Sequence, residues 1–469
     1  MTQPQTLKSP LKHLRASDAR AIAQLATQAT TGVVNIAEGV HQSVWDTLGV
    51  KGGTTPGQTG GLTGLVYQSV RGITQLVGKG LNVLLTRLQP VLEVAEHAAP
   101  GTPQREAVLA ALNGVLGDRL ATSHNPLATV MTLRHGGAAL NWQALPADLK
   151  ATGKVLVLIH GLCMNDLQWQ TWNKTSQSAP NNSPNEVKRP DDNHPPAADS
   201  AQDGVNHGTA LAKALGYTPV YVRYNSGLHT SQNGTALSLL LEQLATHWPV
   251  PIEDLTVIAH SMGGLITRSA WHQAKQPGSQ NPHEGTAQRT GTGTRQPALR
   301  WPALLKNIVF LGTPHHGAPL ERAGNWVDVI LGSSRYSKPF ARLAQLRSAG
   351  ITDLRYGHVV EADWLGHDRF HKKPDSRLHV PLPEGVACFA VAATTASNAS
   401  DSGSVTDRVM GDGLVPLTSA LGTHDDPHRN LNFAENFRKV AYRTNHMQLL
   451  SSPAVTQQMV AWLGRLTDG

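Results

Sequence analysis

The sequence predicts an α/β protein with a mostly parallel central sheet, helices on both faces and an N-terminal helical region ahead of the sheet. Three observations point there. Short, predominantly apolar runs of the kind buried on both faces of a parallel sheet recur after residue 150, among them VLVLI at 155–159, LTVIA at 255–259 and NIVFL at 307–311. Segments with helical spacing of apolar residues separate these runs. One run ends abruptly, in LTVIAHSMGG at 255–264, where Ser261 stands among small residues. That is the form of a strand that turns tightly into a helix.

Taken in order, residues 1–61 are polar, and KGGTTPGQTGG at 51–61 has the composition of a flexible N-terminal segment. Residues 62–149 form the expected helical accessory region. Within it Leu62, Val66, Val70, Ile73, Val77, Leu81, Leu84 and Leu88 line one helical face, with Arg71, Lys79 and Arg87 off the stripe. A basic amphipathic helix over 62–88 either makes peripheral contact with a membrane or packs on the α/β domain that follows, and Gly72, Gly78 and Gly80 suit close packing. A further helix is expected at 104–116.

The α/β domain is expected to span 150–469. Strands are predicted from Lys154, at 218–224, into Ser261, at 307–314, at 386–393 and at 439–444; helices are predicted at 205–215, 234–247, after Ser261 and at 454–466. Polar insertions fall near 173–203 and 276–299. Trp326, Val327, Val329, Ile330 and Leu331 make 317–348 a candidate lid over an apolar ligand, or part of the core.

Composition narrows the function classes. The 469 residues are 40% hydrophobic and 16% charged, with a net charge of +7 and only two cysteines, Cys163 and Cys388. A disulfide framework is excluded as an organising principle. Lysine and arginine are scattered without interleaved aromatics, so no nucleic-acid partner is expected. No apolar run reaches the ~20 residues needed to cross a bilayer, and the first residues lack a signal-peptide core, which predicts a cytoplasmic location with membrane association left open.

A serine hydroxyl needs an imidazole to take its proton and a carboxylate to orient that imidazole. Downstream of Ser261, MGDGLVPL at 410–417 places Asp412 after the strand at 386–393, and TNHMQLL at 444–450 places His446 after the strand at 439–444. Each falls at a strand's carboxyl end, on the sheet edge that carries Ser261. Asp407 and Asp401 are alternative acids on the same loop. Backbone donors for an oxyanion are expected at Met262 and, from HGLCMND at 160–166, at Leu162. His315, His316, His358, Asp363, His367, Asp368 and His371 lack a ligand-like spacing, so no metal is expected.

Together HGLCMND, AHSMGG, LGTPHHGAPL, GDGLVP and TNHMQLL resemble the lipase and esterase branch of the α/β-hydrolase superfamily, close to GPI inositol-deacylase-like and bacterial triacylglycerol-lipase-like proteins, over residues 150–466. Ala259 departs from the pattern, standing where the first glycine of GxSxG is usual. The resemblance implies Ser261 as nucleophile, His446 as base, Asp412 as acid, and Leu162 with Met262 as oxyanion donors. It implies a cofactor-independent hydrolase acting on an apolar carboxylic ester. An acyltransferase with the same triad and a non-catalytic membrane-binding protein are the alternatives, and the oligomeric state is open.

Overall fold

The computed structural model describes residues 103–169, 204–276, 298–318, 348–366, 375–397 and 411–465. The expected helix at 62–88, the flexible segment 1–61, nearly all of both insertions and of the candidate lid, and Asp401 and Asp407 lie outside the described residues. These divide into two compact units. The smaller holds 103–109 and 119–128, where Asn125 closes a turn by accepting from Leu127 N at 2.9 Å. The larger holds 110–118 and everything described from 129 onward.

The described elements begin with helix α1 (Pro103–Thr122), then strands β1 (Thr132–His135), β2 (Ala138–Ala139) and β3 (Lys154–Ile159). Helix α2 (His207–Leu215) leads to β4 (Thr218–Arg223), α3 (Thr230–His247) to β5 (Asp254–His260), and α4 (Met262–Ala274) with the single turn α5 (Trp301–Leu304) to β6 (Leu305–Leu311). There follow α6 (Ala349–Tyr356), β7 (Ala387–Ala393), the short α7 (Leu417–Ala420), β8 (Arg438–Ala441) and α8 (Pro453–Arg465). Local signals fix several boundaries: α2 starts at Asn206, whose side chain accepts from Thr209 N, and stops at Gly216, which is left-handed at φ 76°.

The eight strands form one sheet in the order β2-β1-β4-β3-β5-β6-β7-β8. β3 to β8 run parallel, β1 pairs antiparallel with β4, and β2 pairs antiparallel with β1 at the edge. That edge corrects the expected boundary, because residues 132–139 lie in the stretch assigned to a helical accessory region yet belong to the sheet. Gly136 and Gly137, at φ 57° and 82°, make the hairpin turn that joins the two strands.

Side chains alternate across the sheet. Leu156, Leu158, Ile258, Val309, Leu311, Phe389 and Val391 face one way and pack with Leu211 of α2 and Met459, Trp462 and Leu463 of α8. α4 lies on the opposite face, where a Cβ placed on Gly263 would meet the Ile159 carbonyl oxygen at 2.8 Å and its Cγ2 at 3.0 Å. Helices therefore cover both faces, and the carboxyl ends of the parallel strands deliver their loops to one edge.

Candidate active site

Ser261 is the hinge between β5 and α4. Its backbone sits at φ 54° and ψ −122°, a conformation that costs energy for any residue with a Cβ and persists where the surroundings over-determine it. They do so here. Ser261 N donates to Leu311 O at the end of β6 at 2.8 Å, and Gly264 N donates back to Ser261 O at 3.0 Å. Gly264 itself cannot carry a side chain, since a Cβ there would fall 2.0 Å from Thr313 Oγ1. The paired glycines thus let α4 start directly against the sheet. Ala259, in place of the usual glycine, is fully buried between β3 and β6.

Asp412 and His446 meet below this turn. Asp412 Oδ2 accepts from His446 Nδ1 at 2.7 Å, and its Oδ1 accepts from Leu414 N at 3.0 Å and Val415 N at 2.8 Å. Both residues are buried, at 1% exposure each. The pair is tied to the serine turn through the residue after Leu311: a Cβ on Gly312 would lie 3.1 Å from His446 Nδ1 and 3.2 Å from Asp412 Oδ2. From the other side, His260 Nε2 donates to His446 O at 3.0 Å, with the two rings 4.6 Å apart. No hydrogen bond joins the Ser261 hydroxyl to the His446 imidazole in this structure.

Buried imidazoles crowd the strand ends behind the serine. His260 is held far below the usual histidine range, first by burial and then by neighbouring His446. Burial also depresses His160, to about 3. The His160 ring stacks on Tyr224 at 4.2 Å, and Tyr224 donates its hydroxyl proton to His160 O at 2.8 Å. Neutral rings are what such an apolar setting permits.

The loop after β3 carries Leu162 and approaches Ser261 closely: a Cβ on Gly161 would stand 3.0 Å from Ser261 Cβ. Three groups that sequence patterns did not reveal hold this loop. Ser226 Oγ accepts from Cys163 N at 3.0 Å. Asp166, buried at the loop's end, pairs with Arg134 of β1 at 3.1 Å and with Arg223 of β4. The one available signal was NSG at 225–227, polar residues at the carboxyl end of a predicted strand.

The remaining candidates scatter. His315 is buried beside Arg268 and Phe310, and the His316 ring lies 4.9 Å from that of His424. His358 bonds Asp353 at 3.1 Å, whereas Asp363 accepts the N–H groups of Val359, Val360 and Leu378. Among the described residues no group of three or more histidine, cysteine, aspartate or glutamate side chains is placed to hold a metal ion. His367, Asp368 and His371 lie outside the described residues.

A mostly parallel sheet, a strained serine at a strand-to-helix turn, and an aspartate and histidine following it in that chain order define the α/β-hydrolase fold. No family model matches the sequence and no curated protein matches it. Among solved structures, the mature lipase BlEst2 of Bacillus licheniformis aligns with 71% of this chain and 97% of its own, at 14% identity and a TM-score of 0.36. Lipase B of Aspergillus fumigatus aligns over 71% and 56%, at 10% identity and a TM-score of 0.35. A lipase-esterase related protein of Clostridium acetobutylicum aligns over 72% and 99%, at 10% identity and 0.32.

Proposed function

We propose that this chain is a serine hydrolase of carboxylic esters, of the lipase and esterase type, with Ser261 as nucleophile. The observation that carries the proposal is the buried Asp412–His446 pair beside the strained turn at Ser261. With Nδ1–H donated to Asp412, the His446 Nε2 carries the lone pair that a serine proton needs. Ser261 Oγ attacks the ester carbonyl as His446 Nε2 takes its proton. The oxyanion is met by the N–H groups of Leu162 and Met262, and His446 then protonates the departing alcohol. Water, deprotonated by the same imidazole, cleaves the acyl-enzyme and regenerates the serine. None of these steps calls on a metal or cofactor.

An apolar acyl group is the proposed substrate feature, in keeping with the resemblance of the motifs to lipases and GPI inositol-deacylase-like proteins. Peripheral membrane contact through residues 62–88 is a separate part of the proposal, checked by flotation of the chain with liposomes. Among the described residues no helix is long and apolar enough to cross a membrane. The test of the chemistry is labelling by a fluorophosphonate, followed by hydrolysis of p-nitrophenyl esters of increasing chain length. Wild type should label and turn over, and Ser261→Ala should do neither; equal labelling of both removes the nucleophile. Analysing products with an added lipid alcohol separates water from alcohol as the acyl acceptor.

A further inference from the structure

We infer that Ser226 is a positioning residue that sets the oxyanion loop, with Gly114 of α1 as the surface the loop is pressed against. This rests on the ester-hydrolase proposal and identifies what holds one of its donors. An oxyanion donor works only if its N–H is already aimed at the developing charge. The aim of the Leu162 N–H depends on the backbone that follows it, and Cys163 has a positive φ of 57°, unusual for a residue with a side chain. Something must hold that turn.

Two contacts do. The Cys163 N–H donates to Ser226 Oγ at 3.0 Å, and Ser226 is 1% exposed. Gly114 presses from the other side: a Cβ there would lie 2.2 Å from Cys163 Sγ, 2.8 Å from its Cα and 2.9 Å from its N. The backing is itself fixed. Asn225 accepts from Gly227 N at 3.0 Å and donates to Gly117 O at 2.9 Å, while Ser348 Oγ donates to Gly114 O at 2.6 Å. Gly350 N of α6 donates to Gly227 O at 3.0 Å. The Ser226 hydroxyl is thus an anchored acceptor facing a strained N–H one residue from the donor. It touches no reacting atom and acts through Cys163.

The experiment uses the full chain and compares wild type with Ser226→Ala, which removes one atom, and Ser226→Cys, which keeps the size but offers a weak acceptor. Removing an oxyanion donor outright lowers kcat about 10²–10³-fold, so displacing one should lower it about 10–100-fold. The KM for a p-nitrophenyl ester should stay within about twofold, because the ground-state ester does not rely on the oxyanion donors. Inhibition by an alkylboronic acid, whose tetrahedral adduct places an oxygen in the hole, should weaken in parallel with kcat. A purely packing role would not produce that split.

If either variant keeps the native circular dichroism spectrum together with wild-type kcat and wild-type boronate affinity, the inference is overturned. Should Ser226→Ala fail to fold, Ser226→Cys decides alone. If wild type neither labels with fluorophosphonate at Ser261 nor hydrolyses esters, the ester-hydrolase proposal itself fails. An active wild type with unaffected folded Ser226 variants removes this inference only.

Discussion

Asp412 is bonded to His446 twice. Its Oδ2 accepts the imidazole Nδ1–H at 2.7 Å, and its backbone carbonyl accepts the His446 N–H at 3.1 Å. The second bond locks the two loops together, so the side chains cannot drift apart without separating the ends of neighbouring strands β7 and β8. The remaining carboxylate oxygen is occupied by Leu414 N and Val415 N. Both carboxylate oxygens are therefore engaged, and Oδ2 dictates which imidazole nitrogen bears the proton.

Asp412→Asn should retain the fold, since an amide oxygen can still accept from Leu414 and Val415. Its NH₂ group would face Nδ1 as a donor and force the proton to Nε2, where the serine proton has to go. We expect kcat to fall about 10³–10⁴-fold with an unchanged circular dichroism spectrum. Ester kinetics on the purified variant decide the matter. Undiminished turnover would move the acid to Asp407 or Asp401.

The departure at Ala259 gives a second prediction. Its methyl group is fully buried between Ile159 of β3 and Phe310 of β6, so the sheet already accommodates it. Ala259→Gly would complete the GxSxG pattern yet delete packed volume and loosen the strand before the serine. We expect no gain in kcat and a loss of about 1 kcal/mol in stability, read from urea denaturation. A several-fold rise in kcat would mean that Ala259 strains the turn.

The central strands were legible because they are predominantly apolar runs; Val155–Ile159 and Ile308–Leu311 are fully buried. The hairpin over Thr132–Ala139 was not, since its strands are four and two residues long and only Leu133 among them is buried. Its Gly-Gly turn was the overlooked signal. Helix α6 also escaped, because it is eight residues long and follows a stretch assigned to a candidate lid. At the site, Ser261, Asp412 and His446 each carry a local pattern of small or turn-forming neighbours. Ser226 has none. Its bond to Cys163 joins residues 63 apart, and the Arg223–Asp166 contact spans 57, separations at which no spacing rule operates.

Both cysteines should be silent toward thiol reagents. Burial pushes the Cys163 thiol up to about 12, and Cys388 likewise to about 12. Reactivity follows the thiolate, which is then scarce at pH 8. Native chain treated with Ellman's reagent should release no colour over minutes and two equivalents after unfolding in guanidinium. Rapid loss of one thiol in the native state would place Cys163 or Cys388 nearer the surface.

The buried imidazoles make stability depend on pH. Burial lowers His160 to about 3 and His207 to about 4, and it holds His260 and His315 well below the usual range. Above pH ~6.5 neither the folded nor the unfolded chain protonates these rings, and they contribute no slope. Below it the unfolded chain binds protons that the native chain refuses, so stability falls as pH falls. Each such group contributes up to about 1.4 kcal/mol per pH unit between roughly pH 5.5 and 4.5. His207 is the best probe, because its ring nitrogens bond Thr456 and Leu449 and not the Ser261 turn: Nδ1 lies 2.8 Å from Thr456 Oγ1 and Nε2 donates to Leu449 O at 2.8 Å. Glutamine can make one donor and one acceptor bond there without titrating. His207→Gln should therefore lower the slope by about 1.4 kcal/mol per pH unit in urea titrations run at a series of pH values. An unchanged slope would mean that the His207 ring takes up its proton in the native protein.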